Sequence, residues 1–148
     1  MTEQELKGFI STVTHYFTSI TGTPAKMGFP HIKDEKSKTF DFTGVIGISG
    51  SRKGGIYYTA GRELLKGISA FILGEEVNDD ESLYDLIGEM TNTIAGNMRE
   101  FFGSSFHISV PIIMKGRIDD IVIKLKPPVF IIPITWNNYE SNLAIGLE

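Results

Sequence analysis

Residues Thr39 to Gly61 read TFDFTGVIGISGSRKGGIYYTAG. Two runs rich in β-branched and aromatic residues, TFDFTGVIGISG and GGIYYTAG, flank Ser51-Arg52-Lys53, which is the pattern of a β-hairpin. Glycines at 44, 47 and 50 interrupt the first run, and inside a strand they mark bulges or places where another backbone comes close. The turn, GSRKGG, has the composition of a phosphate-cradling loop but lacks the P-loop spacing and its following Ser or Thr, so a polar hairpin turn accounts for it better.

On the N-terminal side, Leu6, Phe9, Ile10, Val13, Phe17 and Ile20 recur at helical spacing and Gly22 follows as a stop signal. This predicts an amphipathic helix from Thr2 to Thr21. Gly22 to Ser37, with Pro24, Pro30 and the charged run KDEKSK, reads as a connection within one domain. On the C-terminal side, Leu64, Leu65, Ile68, Phe71 and Ile72 predict a second helix ending at Gly74. The acidic loop EEVNDDES leads to a third helix near Ser82 to Phe102, with Asp80 or Ser82 as N-cap. After Gly103 the period changes to two: HISVPIIMKG, IVIKLK, VFIIPITW and NLAIGLE are strand-like, with Asn137-Asn138 in the last turn region. Pro111 and Pro133 within these runs point to edges or bulges. Residues 1–148 therefore read as one α+β domain, its helices packed on a mainly antiparallel sheet. The late strands are long and apolar, and an uncovered edge of that kind invites pairing, so a homodimer joined through sheet edges is expected.

The 148 residues are 41% hydrophobic and 22% charged, a composition that suits one ordinary folded core. With no cysteine there is no disulfide framework and no thiolate metal site, which fits a reducing compartment such as the cytoplasm. The opening MTEQELKGFI lacks the features of a secretory signal, and no apolar run approaches the roughly 20 residues of a membrane span, so no membrane insertion is expected. A net charge of −4 with no long basic cluster argues against nucleic-acid binding. A protein partner or a small ligand remains.

The third helix carries the most unusual composition. In Asp85 to Asn97, DLIGEMTNTIAGN, the residues Thr91, Asn92, Thr93, Gly96 and Asn97 each cost roughly 0.5 to 1 kcal/mol relative to Ala in a helix interior. At about 100° per residue, Asp85, Glu89, Asn92, Gly96 and Arg99 fall on one face, opposite an apolar stripe of Leu83, Ile87, Met90, Ile94, Met98 and Phe101. Asn97 borders the stripe and is predicted to be a buried hydrogen-bonder. A polar helix face is by default only solvated, but solvated faces are built from Lys, Glu, Gln and Ala, and neither Asn92 nor Gly96 serves helix stability. Gly96 leaves a flat place where another surface can come close. The row has no nearby His or Cys, so triads and soft-metal sites are poor candidates, and two carboxylates with an amide would hold a hard cation only weakly; no metal site is assigned. His15, His31 and His107 are scattered. An outward amide can hold a water molecule, because it both donates and accepts.

Asp85, Glu89 and Asn92 spell D-x-x-x-E-x-x-N, and with the following IAGN they resemble the active-site helix of the CheC/CheX phosphatases of bacterial chemotaxis, which remove the phosphoryl group from the response regulator CheY. The resemblance extends through DFTGVIGISGSRKGGIYYT and ISVPIIMKG, from about Thr39 to Gly116. Members of the CheC type carry two such motifs; here the first helix, QELKGFISTVTHYF, has no E-x-x-N, and a single motif points to the CheX-like branch, whose members form homodimers. The resemblance implies a phosphatase acting on the aspartyl phosphate of a phosphorylated CheY-like receiver domain. Asn92 would orient the attacking water, Glu89 would contact the receiver's Lys, Asp85 would support Glu89 or recognition, and Gly96 would admit the partner. No cofactor of its own is implied, since the Mg2+ belongs to the receiver. Two alternatives stand beside this: a non-catalytic receiver-binding adaptor, and an unrelated small-ligand or structural dimer whose polar helix is incidental.

Overall fold

The structure, a computed structural model, describes residues 1–34, 39–116, 125 and 127–148. Most of the charged run KDEKSK and all of IVIKLK but Leu125 lie outside the described residues. The hairpin forms as its sequence predicts: β3 (Phe42–Gly50) and β4 (Gly54–Ala60) pair antiparallel from Phe42↔Ala60 to Ile48↔Gly54. β1 (Lys26–Met27), β2 (His31–Ile32), β5 (Phe106–Ile108), β6 (Ile112–Lys115), β7 (Phe130–Trp136) and β8 (Tyr139–Leu147) join it in one antiparallel sheet of order β1-β7-β8-β4-β3-β5, with β2 also on β7 and β6 also on β3. Asn137 and Asn138 both adopt positive φ, 52° and 66°, and close the β7–β8 hairpin as a two-residue turn whose twist matches its strands.

Four helices are described: α1 (Glu3–Thr21), α2 (Arg62–Ile72), α3 (Asp80–Asn97) and the short α4 (Arg99–Phe102). Thr2 and Glu5 form a capping box at the start of α1, and Gly22 ends it at φ 73°. Glu5 also pairs with Arg52 in the hairpin turn, which ties the first helix to the first hairpin and assigns GSRKGG a structural role. Phe9, Val13 and Phe17 of α1, Leu64, Leu65 and Ile68 of α2, and Leu86, Ile87, Met90 and Ile94 of α3 are buried against Ile46, Ile56, Tyr58, Ile132 and Leu143 of the sheet. The opposite sheet face holds a smaller cluster of Tyr57, Val129, Ile131 and Ala144, with Leu125 packed on it. Burial there pushes the Tyr57 hydroxyl up to about 12, so it stays neutral at any ordinary pH.

Four sequence expectations need correction. The long strands β7 and β8 lie inside the sheet, β8 between β4 and β7, so they present no free edge; the outer strands are the short β1, β2, β5 and β6. Pro133 sits on β7 opposite Gly28, where the outer neighbour passes from β1 to β2, a position that needs no N–H from proline. The cap of α3 is Asp79, whose carboxylate accepts from the Ser82 N–H at 3.0 Å, rather than Asp80 or Ser82. Phe71, assigned to the stripe of α2, is half exposed and meets Trp136 edge-on, and Phe101 is also exposed because the helix breaks at Met98 before reaching it.

Asp80, freed from capping, pairs instead with Arg62 of α2 and Lys115 of β6. Hydrogen bonding to Lys115 and then to Arg62 holds its carboxyl below the ordinary carboxylate value. A carboxyl lowered by folding contributes stability that is complete above the unfolded value, near pH 4, and that disappears as pH falls through the lower folded value. Asp80→Asn is therefore expected to reduce the urea midpoint at pH 7 slightly and to reduce it less at pH 3, below the unfolded value. An equal loss at both pH values would show that the ion pairs contribute nothing.

Candidate functional site

α3 is seated by two close contacts. Thr91 is buried, donates its hydroxyl to Ile87 O at 2.7 Å, and lies directly over Gly44, where any β-carbon would fall on the Thr91 hydroxyl. Gly88 faces β6, and a β-carbon there would stand 2.5 Å from Ile113 Cδ1. The glycine of the strand and the glycine of the helix thus let helix and sheet approach, which accounts for Thr91 and Gly88 by packing alone. Sequence reading missed Gly88; a mid-helix glycine costing about 1 kcal/mol was the available signal.

Packing does not account for the rest of the row. Asp85, Glu89 and Asn92 are exposed, one helical turn apart along α3, while Leu86, Ile87, Met90 and Ile94 fix its buried side. Gly96 is half-buried, and among the described residues the nearest atom to a β-carbon placed there would be Ile108 Cδ1 at 3.9 Å, so none of them requires glycine. Asp85, Gly88, Glu89 and Asn92 form one wall of an open groove whose other wall is the β5–β6 segment, Ile108 to Pro111 and Ile113. Asn97 corrects the expectation of burial: it is exposed and lines a separate groove between α1 and α3 with Thr12, His15 and Glu100. Asn97 is the last residue of α3, and its border position on the helix faces that groove rather than the sheet. Beneath the row, burial pushes the Tyr16 hydroxyl well above its ordinary range, and neighbouring Tyr58 and Glu89 push the same way. Tyr16 is thereby a neutral neighbour of Glu89.

Among the described residues no group of three or more His, Cys, Asp or Glu could hold a metal ion. The three histidines are exposed and far apart in sequence. The arrangement offers a carboxylate and an amide, set on a rigid helix and open to solvent. Such groups can accept a cation or ammonium and can orient a water; they cannot form a covalent nucleophile of the serine or cysteine type.

Comparison with known proteins identifies the family. Residues 42–135 match the family model described as "Chemotaxis phosphatase CheX". The CheY-P phosphatase CheX of Thermotoga maritima is 30% identical over 135 residues, covering 88% of this chain and 86% of that protein. A CheC-like superfamily protein from a Shewanella species superposes over 100% of this chain and 99% of its own with a TM-score of 0.85 and 26% identity. The CheX of Borrelia burgdorferi, solved as a CheX-CheY-BeF3-Mg2+ complex, has the same fold at a TM-score of 0.79 and 20% identity, over 97% of both chains. The chain belongs to the CheX family, within the CheC/CheX group that its D-x-x-x-E-x-x-N helix resembles. No described helix is long and apolar enough to cross a membrane.

Proposed function

We propose that this chain is a phosphatase that hydrolyses the aspartyl phosphate of a CheY-like receiver domain, with the outward row of α3 as its active surface. The observation that carries this reading is the exposure of Glu89 and Asn92 together on a helix whose other side is locked into the core, in a chain of the CheX family. An aspartyl phosphate is an activated acyl phosphate. Its hydrolysis needs a water in line with the departing carboxylate; the receiver's own divalent cation and Lys neutralise the phosphoryl oxygens. Asn92 enters the receiver's site, its amide oxygen accepting a hydrogen from the water and turning a lone pair toward phosphorus. The new O–P bond forms as the P–O bond to the aspartate breaks, and inorganic phosphate and the free carboxylate leave. Glu89, one turn earlier, contacts the receiver's Lys and keeps the docked helix in register. Asp85 supports Glu89 or recognition, and Gly96 admits the partner backbone, a role consistent with the absence of any packing demand for glycine there.

The protein contributes no cofactor in this scheme; the Mg2+ is the receiver's, as the composition of the Borrelia complex suggests. The reaction takes place in the cytoplasm, and the chain acts as a homodimer, for which the short outer edge carrying exposed Phe29 and Ile32 is the better candidate now that β7 and β8 are interior. The test is turnover. With phosphorylated receiver in hundredfold excess over this chain and Mg2+ present, phosphate release should run through many cycles. Release of no more than background, with the receiver still bound, would identify the adaptor.

A further inference from the structure

The second wall of the groove has a feature that hydrolysis does not use. Ile48 pairs with Ile108 and Val45 with Ile112, so three residues, Ser109, Val110 and Pro111, stand opposite two, Ile46 and Gly47. This is a β-bulge, a device that redirects side chains and recurs beside active sites. It is held from several sides. Gly47 N–H donates to Ser109 Oγ and Ser109 N–H donates to Gly47 O, both at 2.9 Å, and the Tyr84 hydroxyl donates to Ile113 O at 3.1 Å. Gly88 completes the support by letting α3 rest on Ile113 and Pro111. The result is a fixed ridge from which Val110 projects, 84% exposed, while Ile112 pairs with Val45 and faces the opposite side of the sheet.

Val110 lines the same groove as Glu89 and Asn92. A substrate that is itself a folded domain, and that brings its reacting centre to Asn92, must cover Val110 in doing so. Building on the reading above, we propose that the Ser109–Pro111 bulge, with Val110 at its tip, is the apolar half of the receiver-docking surface and decides which receivers are accepted. The polar row cannot make that choice, because a Lys and an acyl phosphate are what receivers have in common. An apolar ridge beside it discriminates by whether the surface next to the phosphorylation site is apolar and shaped to fit. Covering the exposed Val110 side chain also adds affinity that is indifferent to the chemical step.

The experiment is steady-state dephosphorylation by the full chain carrying Val110→Ser, with light scattering and melting temperature measured alongside. The expected result is a KM for phosphorylated receiver raised roughly tenfold or more, with kcat within about twofold of wild type and an unchanged mass and melt. An unchanged KM overturns the docking role while leaving the phosphatase reading intact, provided wild type turns over. A fall in kcat at constant KM overturns it too, by showing that the bulge positions α3 instead. A halved mass would make the ridge a contact between copies of this chain and equally overturn the proposal. Failure of wild type itself to turn over defeats the underlying reading and is recognised separately.

Discussion

Gly44→Val should destabilise the fold by about 1 to 3 kcal/mol or more, because the new side chain on the helix-facing side of the hairpin would be driven into buried Thr91. The strand cannot yield, since β3 is paired with β4 on one side and with β5 and β6 on the other. Relief must come from α3 lifting off the sheet, which also opens the contacts of Ile87 and Met90 with the core. Thr91→Ala on its own removes a methyl and a hydroxyl whose only described bond is to the helix carbonyl one turn back, and should cost less. In the Gly44→Val background the same Thr91→Ala change should restore part of the lost stability. Urea denaturation of the four proteins measures this coupling, and strictly additive losses would show that the close approach at Gly44 does not seat the helix.

Much of this was legible in the amino-acid order, and what was not has definite physical causes. The hairpin around Ser51-Arg52-Lys53 and the first helix follow from local rules: alternation, a polar turn, a Thr-Glu capping box and a stop at Gly22. The glycines at 44, 47 and 50 were rightly read as close approaches or bulges, at Thr91, Ser109 and the turn near Ser105. Strand order was not legible, because pairing across the sheet is a tertiary choice; β7 and β8 looked like an edge only for want of knowing that β4 lies against β8. The wheel that placed Glu89 and Asn92 outward assumed a straight helix and succeeded up to Met98. Its one misplacement before the break at Met98 is Asn97, on the border of the stripe, and Phe101 lies beyond the break. The groove was invisible for the same reason as the sheet order, since one of its walls comes from β5 and β6.

Asn92→Ala carries the largest functional effect. The side chain is exposed, so its removal opens no cavity, and Ala improves helix propensity by roughly 0.5 kcal/mol; the melting temperature should be unchanged or slightly higher. If the amide places the water, its loss removes a positioning group that acts only as the reaction proceeds, and such losses typically amount to a hundredfold or more in kcat. Binding to a receiver carrying an acyl-phosphate mimic should persist. Glu89→Ala should behave differently and raise KM as well, because its proposed contact is an ion pair across the interface. The most direct measurement is the lifetime of a phosphorylated, Mg2+-loaded receiver alone, with wild-type protein, and with Asn92→Ala. The account predicts a lifetime shortened by wild type and returned nearly to the unassisted value by the variant. A variant that shortens the lifetime as effectively as wild type would contradict it.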